Sequence, residues 1–185
     1  MDLKKIKAGD IFFTRNNSII SRAIRLVETG KFKQDVPSHC GIIESVCEVD
    51  GKIRIFTLES LFGGTVSGLL ENYCRKGTHV WIKRTKGYFR TEQALLWAYK
   101  QRFVKYDALA LLGIFIRAIM RKLGLEKFPM IKNYLNSKRR FYCSEYVGHY
   151  GKKGGVKYWK GDISFWTPYD IYRSKKLRSI THQKF

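Results

Sequence analysis

The 185 residues predict an α+β domain built on an antiparallel sheet. Three observations carry that expectation. Short apolar runs of strand type follow one another instead of alternating with helices. Asp50-Gly51 sits between two β-branched-rich runs and marks a hairpin. Helical periodicity is confined to a few separate stretches.

The elements follow in chain order. GDIFFTR (9–15) is an apolar run after a Gly-Asp turn and reads as a strand. In NSIISRAIRLVETG, Ile19, Ile20, Ala23, Ile24 and Val27 recur at helical spacing, with Asn17 or Ser18 to cap the start and Gly30 to end it. HCGIIESVCEV and KIRIFTLESLF are the two hairpin strands, and THVWIKRT (78–85) alternates as another strand. TEQALLWAYKQRF (91–103) reads as a helix capped by Thr91, with Leu95, Leu96, Tyr99 and Phe103 on one side.

Residues 107–123 read as a mostly buried helix on which Gly113, Arg117 and Arg121 form a narrow polar stripe; the alternative is a helix lying on a membrane surface. Residues 124–140 are basic and irregular, so a single domain over 1–185 carries a basic helical insertion at about 108–140. Ser144 to Tyr150 reads as a short helix stopped by Gly151.

Thirty-six Lys and Arg against fifteen Asp and Glu give a net charge of +21. That balance attracts polyanions, and an anionic polymer or membrane surface suits it as well as nucleic acid does. The basic residues are spread along the whole chain, so a solvated surface is the competing explanation. No specific nucleic-acid motif is present. The four cysteines form no C-x-x-C pair, and no metal or other cofactor is expected. The N-terminus lacks an apolar signal region, and the longest apolar run, 108–120, is too short to span a bilayer. The expected location is cytoplasmic, with a peripheral place at a membrane or cell wall as the alternative.

Cys143, in RRFYCSEYVGHY, stands before a helix whose first turn suits Ser144 and Glu145. A helix N-terminus favours a thiolate. Catalysis by a thiolate also requires a histidine and a group to orient the imidazole. His39 begins a strand on which alternation places His39 and Gly41 on one face and Cys40 on the other. Gly41 leaves room beside the imidazole for a substrate or another backbone.

Glu59 is a carboxylate within the apolar run IFTLESLF, and strand register decides its place. A two-residue turn at Asp50-Gly51 pairs Glu59 with Ile42, on the wrong face for His39. A three-residue loop with Gly51 in a left-handed bulge pairs Glu59 with Gly41, diagonal to His39 at about 7–8 Å between backbones.

At these residues the sequence resembles the NlpC-type papain-fold peptidases. YCSEYV (142–147), GDIFF (9–13) and HCGII (39–43) match that family's pieces in rotated order, with the cysteine last. The pattern is similar to the circularly permuted, YiiX-like group, whose relatives include enzymes of the lecithin–retinol acyltransferase type. KYD (105–107) and TPYDIY (167–172) also look like features of the group. The resemblance implies a permuted papain-like fold and a thiol hydrolase. Cys143 would be the nucleophile, His39 the base and then acid, and Glu59 the orienting group.

The oxyanion would be held by the Cys143 N–H and a second donor, with Tyr142, Tyr106 and Asp107 as oxyanion or substrate candidates. The implied substrate is a peptide amide of the cell-wall type. The alternatives are a lipid acyl hydrolase or acyltransferase on a lipid amide or ester, and a non-enzymatic polyanion-binding protein.

Overall fold

The computed structural model describes residues 2–18, 21–22, 24–26, 36–108 and 140–185. The basic insertion, including the stripe Gly113, Arg117 and Arg121, lies outside the described residues apart from its ends. So does most of the helix expected over 17–30. Residues 21–22 and 24–26 are helical, and the Ser21 N–H donates to Ser18 Oγ at 3.2 Å as a cap does.

Six strands form one antiparallel sheet: β1 (Ile11–Arg15), β2 (His39–Val49), β3 (Lys52–Leu61), β4 (Gly64–Leu69), β5 (His79–Thr85) and β6 (Leu177–Lys184). Their order across the sheet is β4-β3-β2-β1-β5-β6. Strand alternation divides the apolar residues between the two faces. Ile11, Phe13, Cys40, Ile42 and Leu58 join one core cluster, and Phe12, Ile43, Ile55, Val80 and Ile82 join the other. Three helices serve the first cluster: α1 (Thr91–Lys100), α2 (Cys143–Lys153) and α3 (Pro168–Tyr172).

Both outer strands escape the sequence reading. β4 is GTVSGL, where glycine and small residues weaken the strand signal. β6 is LRSITHQK, polar on an edge, and it takes His182 out of the basic tail expected for it. His182 stacks on Trp81 of β5, with centroids 5.0 Å apart and rings within 3° of parallel.

The two central helices also depart from expectation. Helix α2 runs through Gly151 and ends at Lys153, with Gly154 at its C-cap. Gly148 and Gly151 are packing residues. A Cβ at Gly148 would lie 2.6 Å from Ile163, and one at Gly151 would lie 2.3 Å from the Tyr158 ring. Gly151→Ala therefore overpacks the core and lowers stability by about 1–3 kcal/mol, measurable as a shift in the urea midpoint.

Thr91 is the first residue of α1 and not its cap. The buried side of α1 is Ala94 and Ala98, because small residues allow close approach to α2; Tyr146 Oη donates to the Ala98 carbonyl at 2.7 Å. Of the residues expected on one side of the helix, Leu95 packs against the core, Leu96 and Tyr99 face solvent, and Phe103 lies beyond the end of α1, also in solvent.

The β2–β3 register combines both readings of the hairpin. The turn has two residues, with Val49 opposite Lys52 and with φ of 52° at Asp50 and 68° at Gly51. Ser45 still pairs with Phe56, but Ile43 pairs with Thr57 and Ile42 with Leu58. One residue, Glu44, is therefore extra in β2. The slip that puts Glu59 on the His39 side occurs at this bulge and not at the turn.

Candidate active site

His39 begins β2 and Glu59 lies near the end of β3, and the bulge at Glu44 brings them to the same end of the hairpin. His39 Nε2 and Glu59 Oε2 are 2.7 Å apart. Glu59 is 3% exposed and is held on every side. Thr57 Oγ1 donates to Glu59 Oε1 at 3.0 Å, and the Tyr73 hydroxyl donates to Glu59 Oε2. Gly68 of β4 makes room for this carboxylate, since a Cβ there would lie 2.8 Å from Glu59 Oε1.

The Tyr73 ring stacks on His39 with centroids 5.8 Å apart, and Phe12 meets His39 edge-on at 5.9 Å. Phe12 also fills the space that Gly41 leaves, because a Cβ at Gly41 would lie 2.4 Å from its ring. The room at Gly41 thus belongs to the core and not to a substrate.

Cys143 is the first residue of α2, with Tyr142 at the N-cap. Its backbone N–H is among the four that a helix leaves without an intrahelical acceptor. The chain is pinned on both sides of it: Ser60 Oγ donates to the Phe141 carbonyl at 2.6 Å, and Ser144 Oγ to the Trp166 carbonyl at 2.7 Å. Cys143 is 5% exposed and lies beside His39 and Cys40, both of which draw its pKa down. Cys40 lies on the opposite face of β2 from His39, as alternation requires, yet its thiol and its backbone amide both reach the Cys143 sulfur.

These contacts set the charges. The Cys40 hydrogen bond lowers the Cys143 pKa most; burial opposes it, and the bond to His39 and the imidazolium charge add to it, so Cys143 titrates well below an ordinary thiol. Burial disfavours the His39 imidazolium, but hydrogen bonds to Cys143 and Glu59 outweigh burial and raise its pKa to about 10. Burial pushes Glu59 up, and His39, Tyr73 and Thr57 together hold it below its ordinary value. All three shifts act in one sense, toward the charged forms of the thiol, the imidazole and the carboxyl group.

The remaining sequence candidates divide. The Tyr142 hydroxyl donates to the carbonyls of Trp166 (3.3 Å) and Ile163 (3.4 Å), so it is turned away from an oxyanion role. Burial first, and then the Cys143 charge, keep Tyr106 a phenol well above its ordinary pKa. Asp107 is buried at 1% exposure near Glu145, whose pKa is raised to about 8 by burial and then by the Asp107 charge.

A buried Glu with a raised pKa favours the fold below its ordinary 4.5, and that advantage is lost as pH rises through about 8. Glu145→Gln is therefore expected to lessen the fall in melting temperature between pH 6 and pH 9. An unchanged fall would place the pH dependence elsewhere.

The other histidines pack apart from this row. His79 lies 3.3 Å from Arg15, and His149 rests on Phe141 with centroids 5.5 Å apart. A cavity of about 210 Å³ lined by Leu3, Ile55, Leu70, Glu71, Cys74 and Phe185 contains none of the site residues.

Three members of the site are missing from the sequence reading. Thr57 was within reach of it, two residues before Glu59 on the same strand face. Cys40 falls outside it because facing away from His39 does not preclude facing Cys143. Tyr73 follows the unpredicted β4, in the short helix Leu70–Tyr73, and carries no sequence signal for its place.

A crystal structure of metalloprotein yiiX from Escherichia coli O157:H7, DUF1105, is similar over 98% of this chain and 99% of that one, with a TM-score of 0.64 and 16% identity. The chain has a YiiX-like fold. No family model matches it, and no curated protein matches it. Among the described residues no group of three or more His, Cys, Asp and Glu side chains could hold a metal ion, and no helix is long and apolar enough to cross a membrane.

Proposed function

We propose that this chain is a cysteine hydrolase of permuted papain-like type that cleaves an amide bond, with Cys143, His39 and Glu59 as its triad. The observation that carries the reading is His39, bonded to Glu59 at 2.7 Å, beside a Cys143 that begins a helix, close enough that each shifts the other's pKa toward its charged form. The Glu59 carboxylate takes Nε2 and leaves Nδ1 of His39 for the sulfur.

The Cys143 thiolate attacks the acyl carbon. The Cys143 backbone N–H, and Tyr106 as second donor, meet the oxygen that gains charge. His39 gives its proton to the departing amine as the C–N bond breaks, and the acyl group remains as a thioester. The now neutral His39 takes a proton from water, the hydroxide equivalent attacks the thioester, and the carboxylic acid and the thiolate–imidazolium pair are restored. The word metalloprotein belongs to the structural neighbour.

The amide substrate proposed is a peptide of the cell-wall type, which the +21 charge suits through the anionic wall polymer. A second reading, a lipid acyl hydrolase or acyltransferase on the same thiol, is favoured by one observation. The Phe62 ring, 63% exposed, lies against Tyr106 beside the site, with centroids 4.9 Å apart.

The test is release of amine from cell-wall peptides, with a lipid amide in parallel. Cys143→Ala is expected to lower turnover by about 1,000-fold or more while the protein stays folded. Turnover by the Cys143→Ala protein at the wild-type rate would remove the nucleophile from the account.

A further inference from the structure

The apolar side of α1 that faces solvent continues into a second exposed element. Leu96 is 56% exposed, Tyr99 49% and Phe103 78%; on the β3–β4 turn, Leu61 is 38% and Phe62 63% exposed. The two elements are clipped together. The Phe103 N–H donates to the Thr65 carbonyl at 2.7 Å, the Thr65 N–H donates to the Val104 carbonyl at 2.8 Å, and a Cβ at Gly64 would lie 2.7 Å from that same carbonyl. Phe62 then stacks on Tyr106. The residues form one surface and not scattered side chains.

Phe103 is held in the left-handed region, at φ 67°, where a bulky non-glycine residue rarely sits. The clip that imposes this conformation leaves the ring in solvent, so packing within the fold does not account for it. The surface is also cationic. Residues 61–68 and 93–106 contain no Asp or Glu, and the exposed Glu92 stands at the far end of α1, one turn before Leu96; Lys100 and Lys105 are exposed and the Arg102 guanidinium lies over the rings of Tyr99 (4.8 Å) and Phe103 (5.2 Å).

Leucine and phenylalanine flanked by tyrosine, lysine and arginine, with three cations around Phe103 against a single carboxylate at the far end of the helix, match the layers of an anionic bilayer from hydrocarbon to headgroup. A nucleic acid would use the cations and leave Leu61, Phe62 and Leu96 unmatched.

We propose that this surface seats the protein on an anionic lipid bilayer and presents the Cys143 site to it. Tyr106 connects the two, since it bridges to Phe141, two residues before Cys143. Seating depends on the surface and not on the thiol, so it stands or falls separately from the hydrolase reading.

The test is flotation with vesicles of phosphatidylcholine alone or with about 30% phosphatidylglycerol. The wild type and Cys143→Ala are expected to float with the anionic vesicles and not with the neutral ones. Raising salt from about 50 to 200 mM weakens this binding without abolishing it, because part of the attraction is apolar. The double variant Phe62→Ser/Phe103→Ser is expected to lose it by at least tenfold. Tyr88→Ser, which removes an aromatic 85% exposed just before α1, at the other end of that helix from Phe103, leaves it unchanged.

Phe103→Trp provides a second measurement that needs no loss of stability. Its added emission shifts to the blue on anionic vesicles and is quenched by brominated acyl chains. Absence of flotation overturns the proposal. So does flotation that the double variant retains and salt removes, or a tryptophan at 103 that vesicles leave unshifted.

Discussion

At about pH 6, iodoacetamide labels Cys143 ahead of Cys40, Cys47 and Cys74 by about 10- to 100-fold. An ordinary thiol with a pKa near 8.5 is roughly 0.3% ionised at that pH, whereas Cys143, held well below an ordinary thiol by Cys40 and His39, is ionised to a far larger extent. The lower intrinsic nucleophilicity of a low-pKa thiolate returns part of that advantage, which sets the range. Peptide mapping reads all four cysteines in one sample, so Cys40, Cys47 and Cys74 are internal controls.

Two substitutions separate the causes. His39→Ala removes the imidazolium and moves Cys143 labelling to higher pH. Cys40→Ala removes the thiol whose hydrogen bond lowers the Cys143 pKa most, and also slows labelling at pH 6. Equal labelling of all four cysteines, or a folded His39→Ala protein that labels as the wild type does, would make Cys143 a packing residue.

Glu59→Ala is expected to cost about 3–5 kcal/mol of stability, the largest loss among the site variants, because it removes the carboxylate that is bonded to the His39 imidazolium and leaves only the thiolate on the other side. It also strips the acceptor from Thr57 Oγ1 and from the Tyr73 hydroxyl. Glu59→Gln keeps the shape and loses the charge, so it costs less stability while still lowering the His39 pKa.

The pH dependence has a definite sign. Glu59 titrates below its ordinary 4.5 in the folded protein, so its contribution is present above about 4.5 and is lost as pH falls below it. Urea titrations of wild type and Glu59→Ala at pH 7 and pH 3 read this directly, and the difference between the two proteins narrows at pH 3. A constant difference would mean that the loss comes from packing and not from charge.

The sheet was legible in the sequence wherever a strand was apolar on at least one face. β1, β2, β3 and β5 carry β-branched and aromatic residues in alternation, and the Asp50-Gly51 turn has the chemistry of its geometry. The edge strands were not legible, because β4 is glycine-rich and β6 is polar, so neither has a periodicity to detect.

Within the site, the chain order of His39, Glu59 and Cys143 could be read, but the register that joins the first two could not. It depends on one extra residue, Glu44, whose side chain carries no signal for a bulge. Tyr73 was hidden for a related reason: its approach to Glu59 depends on β4. The packed face of α1 was not legible because a helical period locates an apolar stripe without saying what covers it. Ala94 and Ala98 win the packed side by being small enough for close contact with α2. The stripe left in solvent became the proposed bilayer surface.

The central claim is that His39 is an imidazolium because it lies between a thiolate and a carboxylate. Nitrogen NMR of the His39 ring through a pH titration measures that state without a substrate. The account predicts that His39 stays protonated past neutrality and titrates at about 10, and that in Cys143→Ala its pKa falls as the thiolate partner is removed. A His39 ring already neutral at pH 7.5 in the wild-type protein, with the same titration in Cys143→Ala, would contradict it.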